Sequence, residues 1–495
     1  MKRLSLALAA LLTSFDSFAA SGGSPAAQWN NAFARDMLQK LGEEHRGENF
    51  AFSPFSIVTA FGMTYGGARG ETAAQMEGVF RFDGGAQVHS ELAAWAAAVK
   101  EAATGEGIQF RLANRAWLQR DWPVREEFLR VLQEQYDAPA ARADFATQPE
   151  TERVRINDWV YEQTMERIAD LLPTGSIDGL TRFVLVNALY FKGQWKFPFT
   201  KTKTGEPFYV SEDETVPVAM MYGYLWVAHV ATGLAEAIAL PVKNSSCCLV
   251  IVRPNPGKTV EEVLTSVADG DFPLAVAEWN VSPEGTDVYL PRFRLETEVE
   301  LKKVLQRMGV VDAFDAGLAD FTGIYLGPEP ELHLTDAFHK TFVEVNETGL
   351  EASGATAAVG GVTSVPPVFE VNRPFLFFVM EDSTGSILFG GQVTRPEDPG
   401  GSQGEPSRDR LLRLALSEGV GQRTFTVELV CDTNVKDKLI LQASSDLSKW
   451  ENIEFTVNTA ETLSGNRSRF NLVGEIPPSG GDALFFRVRV ALPEE

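Results

Sequence analysis

The chain has 495 residues, a length that predicts two or three domains. Hydrophobic residues make up 44% of it and charged residues 22%, which is typical of a globular protein able to bury a large core. The formal net charge of −23 argues against nucleic acid or an anionic membrane as a partner, because both would repel the protein.

The sequence pattern of residues 1–19 is typical of an export signal. Lys2 and Arg3 precede an apolar run at 4–12, and the small residues that a signal peptidase reads follow at 17–19. The run is too short to span a bilayer of about 30 Å as a helix. We expect cleavage after Ala19, and a protein that is secreted, periplasmic or held at the cell surface. The signal type, together with the C-terminal module described below, favours a bacterial source.

Residues 24–396 predict one large α+β domain. Apolar residues repeat every four positions at Trp29, Phe33, Met37 and Leu41, which is the buried stripe of an amphipathic helix. Further along, helical stretches alternate with β-like runs at 183–189, 235–240, 248–252 and 288–290. Long helices mixed with strands of this kind indicate an α+β fold.

The composition changes after Pro396. Residues 397–408 are polar and rich in glycine and proline, which predicts a flexible linker. Period-two alternation follows at 424–430, 439–444, 453–457 and 485–490, so residues 409–495 predict an all-β module, a small sandwich. The segment 441–450 is similar to a short β-module at the ends of exported bacterial proteins. Leu441 and Trp450 either fill a small core or help to contact a cell surface or glycan.

The three cysteines are Cys247, Cys248 and Cys431. An odd number, with two of them adjacent, cannot form a disulfide framework. Adjacent residues of a strand point to opposite faces, so we interpret Cys247 and Cys248 as core residues rather than a redox pair.

The sequence contains no recognisable catalytic constellation. There is no Gly-x-Ser-x-Gly turn, no His-Glu-x-x-His helix and no phosphate-binding glycine loop. The spacing of His333 and His339 matches no common metal site, and we interpret both as structural histidines. We therefore expect no metal, no cofactor and no enzymatic turnover.

The segment 347–367 stands out because small residues dominate it and because it contains no lysine, arginine or aromatic residue. A structureless stretch of this length inside a domain is either functional or disordered. It nevertheless alternates: Leu350, Ala352, Gly354, Thr356 and Ala358 would share one face of a strand. This pattern is typical of a segment that can be both an exposed loop and a strand.

From Trp29 to Pro396, about 370 residues, the chain resembles the serpins. The motifs that carry the resemblance occur in the family's order: NFAFSPFSI at 49–57, GARGET at 67–72, NALYFKGQW at 187–195, LPRF at 290–293, MGV at 308–310 with DAF at 312–314, DFTGI at 320–324, NRPFLF at 372–377 and Gly-Gly at 390–391.

The resemblance implies a serpin fold of about nine helices, three β-sheets and an exposed reactive loop. It implies a suicide-substrate inhibitor whose partner is a target serine protease. The protease is acylated by the residue before the cut bond, and the freed loop then inserts as a new strand into the central sheet. Distortion of the trapped protease removes its oxyanion hole, so the ester persists.

The family's usual distance from the hinge Glu347 places the reactive bond at Thr363–Ser364, and counting back from 366–367 gives the same bond. The neighbouring bond Val362–Thr363 stays open as an alternative. Small β-branched residues suit the narrow pocket of an elastase- or subtilisin-like protease. The absence of basic residues argues against trypsin-like targets, which need a cation for the pocket carboxylate.

The hinge implied by the resemblance comprises Glu347 and the run from Gly349 to Thr356. Its members are Glu347, Gly349, Leu350, Glu351, Ala352, Ser353, Gly354, Ala355 and Thr356. Leu350 departs from the family, which usually has threonine or serine there. A leucine creates an overpacking problem of about 1–3 kcal/mol, which should slow insertion rather than abolish it.

Other positions match regions that move when the loop inserts. Ser53, Ser56, Asn187 and His339 match the hydrogen-bonded shutter beneath the sheet, and Trp195 matches the breach where insertion begins; plain core packing is the simpler interpretation of each. Arg292 and Glu347 are expected to pair at the root of the loop. Residues 85–104 contain Lys100 as their only base, so we expect no heparin binding. The alternatives for function are a non-inhibitory serpin, acting as carrier or chaperone, and an adhesion protein that acts through its C-terminal module.

Overall fold

The computed structural model describes residues 23–281, 285–325, 332–350 and 366–398, and the backbone of seven strands between 413 and 490. The chain divides into two compact units, Met1–Gly401 and Ser402–Glu495. Within the described ranges, no helix is both long enough and apolar enough to cross a membrane. The predicted signal at 1–19 lies outside them, as do residues 351–365, which include the predicted reactive bond.

Two helices of the first unit begin where a serine precedes a proline. Ser24 and Ser53 accept hydrogen bonds from the backbone of the first turn, and the following proline has the backbone angle a helix needs. The described part contains eight α-helices: α1 (Pro25–Glu44), α2 (Pro54–Tyr65), α3 (Gly70–Phe80), α4 (Val88–Ala102), α5 (Glu126–Tyr136), α6 (Pro149–Gln163), α7 (Val260–Ala268) and α8 (Leu301–Met308). Single 3-10 turns lie at Gly85–Gln87, Val276–Glu278 and Asp312–Phe314.

The strands of this unit follow one another in chain order as β1 (Phe50–Phe52), β2 (Gln109–Gln119), β3 (Ala141–Ala143), β4 (Phe183–Gln194), β5 (Lys201–Tyr209), β6 (Thr215–Leu225), β7 (Ala228–Ala231), β8 (Ala235–Pro241), β9 (Cys247–Pro254), β10 (Asn280–Val281), β11 (Thr286–Pro291), β12 (Phe293–Glu300), β13 (Phe338–Val345), β14 (Gly349–Leu350), β15 (Val368–Glu370), β16 (Phe375–Glu381) and β17 (Ser386–Val393).

These strands form three sheets. Sheet 1 has the order β12-β13-β14-β4-β2-β3, sheet 2 the order β1-β17-β16-β9-β8-β7-β10, and sheet 3 the order β15-β11-β6-β5. The predicted stripe of Trp29, Phe33, Met37 and Leu41 is buried in α1, and all four predicted β-like runs are strands. The α+β prediction for this unit is therefore confirmed.

The main core packs α1 and α2 against sheet 2 and the inner face of sheet 1. Residues 54–64 of α2 are all buried, which explains why this helix is apolar around its whole circumference. A second core lies between the outer face of sheet 1 and α6, where Trp117 and Phe342 pack with Ile156 and Val160. The helix α6 thus covers sheet 1 from outside.

Cys247 and Cys248 are buried free thiols in β9. Burial raises the pKa of Cys247 to about 12, and burial likewise raises the pKa of Cys248. Neither thiol is reactive at neutral pH, as expected of core residues.

The second unit consists of antiparallel strands: β18 (Arg413–Gly419), β19 (Gln422–Asp432), β20 (Leu439–Ser444), β21 (Glu451–Ile453), β22 (Phe455–Thr462), β23 (Arg467–Glu475) and β24 (Phe485–Val490). They form two sheets, β18-β19-β23-β22 and β21-β20-β24. Three of the four predicted runs fall within single strands, and the run at 453–457 falls on β21 and β22.

Candidate functional site

The candidate site is a seam in sheet 1 between β13 and β4. These two strands run in the same direction, and the two-residue strand β14 lies between them in the opposite direction. Val345 and Gly193 are the register partners of Leu350 on either side. Beyond Leu350, no backbone ladder joins β13 to β4 in the described part of the sheet. Among the described residues, only Gly349 and Leu350 lie as a strand in the seam, at its beginning.

A tight turn at 346–349 returns the chain from β13 into the seam. The side-chain oxygen of Asn346 accepts hydrogen bonds from the backbone N–H and the hydroxyl of Thr348, at 3.0 and 2.9 Å. The backbone N–H of Asn346 donates to the carbonyl of Gly349 at 3.1 Å, which closes the turn. An asparagine side chain that mimics a backbone turn in this way is a common local signal.

Gly349 is required by a close approach of two backbones. A Cβ atom at this position would lie 2.1 Å from the carbonyl oxygen of Gly193 and 2.8 Å from the Cα atom of Gln194. Neither neighbour is the tip of a flexible side chain, so any larger residue must move the strand out of the seam.

Leu350 is only 3% exposed and belongs to the main core. Its side chain already lies inside the uncut chain, so any overpacking that it causes is present before the loop inserts. Its partner on β4 is a glycine, Gly193, and its partner on β13, Val345, is fully buried. The structure thus accommodates a leucine where the family usually has a smaller polar residue.

Glu347 anchors the turn from its other side. Its carboxylate accepts hydrogen bonds from Nε of Arg292 at 2.8 Å, from a second guanidinium nitrogen of Arg292 and from the hydroxyl of Thr202. Burial alone would raise the pKa of Glu347, but these hydrogen bonds outweigh burial and lower that pKa below its usual value. The predicted pair of Arg292 and Glu347 is confirmed, and it is more enclosed than an ordinary surface pair.

Trp195, the residue that follows β4, holds the same turn. Its indole N–H donates to the carbonyl of Asn346 at 2.8 Å, and its backbone N–H donates to the carbonyl of Thr348 at 2.9 Å. The side chain is 3% exposed. Trp195 therefore fixes where the turn enters the seam.

Further along the seam, four predicted residues come together below the sheet. Ser56 donates its hydroxyl hydrogen to the side-chain oxygen of Asn187 at 2.7 Å, and Ser53 donates to the carbonyl of Leu388, also at 2.7 Å. Nδ1 of His339 lies 3.2 Å from the same Asn187 oxygen. Because Asn187 is in β4 and His339 is in β13, this contact bridges the seam.

The network defines the tautomer of His339. The backbone N–H of Ser53 donates to Nε2 at 2.9 Å, so Nε2 carries no hydrogen and Nδ1–H donates to Asn187. The amide nitrogen of Asn187 donates in turn to the backbone of Ser56 and to Asn114, which fills its hydrogen-bonding capacity. Complete burial lowers the pKa of His339 to about 3, so the ring is neutral at physiological pH.

Several members of the site were not predicted. Thr202 and Asn114 contact the predicted residues Glu347 and Asn187 through their side chains, and the turn residue Asn346 accepts a hydrogen bond from Trp195 through its backbone carbonyl. The Asn-x-Thr-Gly pattern at 346–349 is a turn signal that could have revealed Asn346. Thr202 and Asn114 lie in strands far away in sequence, and no local pattern marks them.

The predicted reactive residues Val362, Thr363 and Ser364 lie outside the described residues, as does the hinge from Glu351 to Thr356. The first residues of the predicted linker do contact the site. The backbone N–H of Arg294 donates to the carbonyl of Glu397 at 3.0 Å, and Arg292 lies 3.7 Å from Asp398. Among the residues that the structure describes, no group of three or more acidic, histidine or cysteine side chains could hold a metal ion.

The chain matches the family model described as "Serpin (serine protease inhibitor)" over residues 28–396.

Three similar proteins illustrate the match. Serpin B6 of Macaca fascicularis is 36% identical over 385 residues, which cover 75% of this chain and 99% of that protein. Leukocyte elastase inhibitor of Homo sapiens is 35% identical over 377 residues, covering 74% and 98%. The crystal structure of Serpin48, a highly specific serpin of the insect Tenebrio molitor, superimposes with a TM-score of 0.66 at 30% identity and covers 75% of this chain and 98% of that one.

Proposed function

The chain belongs to the serpin family, and from that premise we propose that it is a suicide-substrate inhibitor of serine endopeptidases with a preference for small residues, of the elastase or subtilisin type. The observation that carries the proposal is the seam in sheet 1. Its first two positions are filled by Gly349 and Leu350, and the chain that follows them contains the predicted reactive bond.

The register of β14 predicts where each following residue goes. Because β14 is antiparallel to both neighbours, every step forward from Leu350 is a step backward on β13 and on β4. Continued in this register, Thr356 lies opposite both His339 and Asn187, on the face that Leu350 shares. The hydroxyl of Thr356 would then replace the hydrogen bond that now bridges the seam.

The opposite face of the inserted strand lies under α6. In the same register Ser353 is next to Phe342, and Ala357 is next to Phe338, where both phenylalanines pack near the core beneath α6. Small residues at these positions pass beneath the helix with the least displacement of that core.

The chemistry begins as ordinary proteolysis. The hydroxyl oxygen of the protease serine attacks the carbonyl carbon of Thr363, the bond to the nitrogen of Ser364 breaks, and that nitrogen leaves as an amine with a proton from the protease histidine. The acyl-enzyme ester would be hydrolysed by water in a normal substrate. Insertion of 351–363, a length of about 43 Å, moves the protease across the domain before hydrolysis.

Insertion supplies the free energy for trapping. The new strand forms on the order of ten backbone hydrogen bonds at about 1 kcal/mol each, and buries apolar surface in addition. Leu350 does not reduce the free energy gained on insertion, because it is already buried before cleavage. The uncut chain is therefore kept in a metastable state.

Target class and location are part of the proposal. The small β-branched residues around the bond support a target protease with a narrow specificity pocket. A relative 35% identical to this chain is named leukocyte elastase inhibitor. The signal at 1–19 supports export of the protein, from a bacterial cell, and the C-terminal module supports contact with a cell surface.

The test is incubation of the full chain with pancreatic elastase and with subtilisin. We expect a complex that survives boiling in SDS, and mass spectrometry should find the new amino terminus at Ser364, or at Thr363 if the neighbouring bond is cut. Cleavage of the loop with release of active protease would instead identify a non-inhibitory serpin.

A chain truncated to 1–396 provides the control for the C-terminal module. Retention of inhibition by that chain, together with loss of surface attachment, would assign adhesion to the module and inhibition to the first unit.

A further inference from the structure

A cleft of about 870 Å³ lies at the junction of α2, α3, α4 and α5, and the inhibitory mechanism does not use it. The loop at 322–323 forms one rim. Much of the lining consists of glycine and alanine. Because these residues are small and apolar, the few charged side chains in the lining supply most of its polar groups. A volume of this size is in the range that binds small molecules.

Arg69 is oriented toward this rim by the backbone. Its Nη1 atom donates to the carbonyls of Gly66 and Ala68, at 3.2 and 2.6 Å. A Cβ atom on Gly323 would lie 2.6 Å from the central carbon of the guanidinium, so the group lies directly against the backbone of that glycine. The Nε and Nη2 donors have no partner in the described part of the chain.

Arg125, the residue that precedes α5, approaches the same rim. Its Nε donates to the carbonyl of Thr322 at 2.6 Å, and its backbone N–H donates to the carbonyl of Ile324 at 2.8 Å. The two guanidinium groups thus contact adjacent residues, Thr322 and Gly323. No carboxylate of the described residues lies within 4 Å of either group, although the whole chain has 67 acidic and only 44 basic residues.

His89 adds a third polar group to the lining. Its Nδ1 lies 2.8 Å from the hydroxyl of Tyr136, while Nε2 has no partner among the described residues and is available to a ligand. Burial, and to a smaller extent the charge of Arg69, lowers the pKa of His89, so the ring is neutral.

Two acidic residues also line the cleft. The carboxylate of Glu77 accepts a hydrogen bond from the hydroxyl of Tyr65 at 2.5 Å. Glu127 is exposed and would repel an anion. Its substitution therefore tests whether the ligand is negatively charged.

We propose that the cleft binds a small phosphate-bearing molecule, with the phosphate held by Arg69 and Arg125 and hydrogen-bonded by His89. Guanidinium groups that are held in place by backbone carbonyls present their remaining N–H donors as a rigid fork, the geometry that matches phosphate oxygens. The remaining volume accepts the organic part of the ligand. The site is independent of the reactive loop and is present in the uncut chain.

The experiment is isothermal titration of the intact full chain with inorganic pyrophosphate at constant ionic strength. We expect binding that Arg69→Gln and Arg125→Gln each weaken by about 10-fold, since each removes a charged hydrogen-bond donor. Glu127→Gln should instead tighten binding about twofold to threefold, because it removes a repulsive charge from the lining. Arg46→Gln, at an exposed site outside the cleft, should leave the affinity unchanged.

Melting of each variant without ligand shows whether it is folded, and Arg125→Gln keeps the test valid if Arg69→Gln disturbs the backbone carbonyls it contacts. Absence of binding at millimolar pyrophosphate, or an affinity that neither arginine variant changes, would overturn the proposal. Because no protease is present, the result is separate from the test of inhibition.

Discussion

The two ends of the seam in sheet 1 are held by different kinds of interaction. At the upper end the backbone fills it: Gly349 and Leu350 form a strand whose position is fixed by a tight turn and a close approach to β4. At the lower end side chains bridge it, through the neutral ring of His339 and the amide of Asn187. In the proposed mechanism the upper end stays in place, and the bridge at the lower end is exchanged.

Under the proposed mechanism, this difference lets one chain be stable and still react. A backbone strand at the upper end sets a register before the loop is cut, so the proposed insertion would extend an existing ladder and would not need to nucleate a new one. The side-chain bridge at the lower end satisfies buried polar groups, and in the proposed mechanism the hydroxyl of Thr356 would replace it. Four substitutions test this comparison.

The largest effect is expected at the lower end. Thr356→Arg places a charge between His339 and Asn187 on insertion, and burying an unpaired charge costs several kcal/mol. We expect loss of the SDS-resistant complex with elastase or subtilisin, while cleavage of the loop continues. Thr356→Ser retains the hydroxyl and should retain complex formation. If the arginine variant still formed the complex, the register derived from β14 would be wrong.

At the upper end, Gly349→Ala introduces the Cβ that would lie 2.1 Å from the carbonyl oxygen of Gly193. The strand must leave the seam, which exposes Leu350 and should lower the free energy of unfolding by about 2–3 kcal/mol. Hydrogen exchange at the amides of 349–350 should rise at the same time.

The matched control is Gly233→Ala, because a Cβ at Gly233 would meet nothing within 4 Å. That variant should unfold like the parent chain. Equal stability of both alanine variants would show that the upper end is not fixed by the close approach.

The buried ring of His339 should make the free energy of unfolding depend on pH. Its pKa is about 3 in the folded chain, below the value of about 6.5 in the unfolded chain, so the unfolded state binds more protons between these values. The contribution of the neutral ring is fully present above about pH 6.5 and is lost as the pH falls. By pH 5 the loss should be about 2 kcal/mol.

Denaturant unfolding of the parent chain and of His339→Gln, at pH 7 and at pH 5, isolates this contribution. Glutamine can accept from Ser53 and donate to Asn187 but does not titrate, so the variant should lose about 2 kcal/mol less than the parent over this interval. An identical loss in both chains would mean that the ring is not a buried neutral group.

The smallest effect is expected at the root of the turn. Glu347→Gln removes the charge that pairs with Arg292 but keeps a hydrogen-bond acceptor, so we expect a loss of about 1 kcal/mol at pH 7. Because the pKa of Glu347 is lowered, the carboxylate stabilises the fold above the usual carboxyl pKa, and the difference between the chains should shrink below about pH 4. A difference that did not depend on pH would point to packing rather than charge.

Local patterns predicted the elements of the first unit well, since the stripe of α1 and the β-like runs depend on neighbouring residues. The members of the shutter were identified through family motifs, because the partners Ser53, Asn187 and His339 are far apart in sequence. The position of Leu350 inside the uncut sheet could not be predicted, since it depends on Gly193 and on the turn at 346–349. Thr202 was missed for the same reason: its contact with Glu347 exists only in the folded chain.

The most direct test of the seam as the site of insertion is the thermal stability of the first unit before and after a single cut within 357–365. A new strand worth on the order of 10 kcal/mol should raise the melting temperature by on the order of 10 °C, and Thr356→Arg should abolish the rise. A cut chain that melts at or below the temperature of the intact chain would contradict insertion into sheet 1.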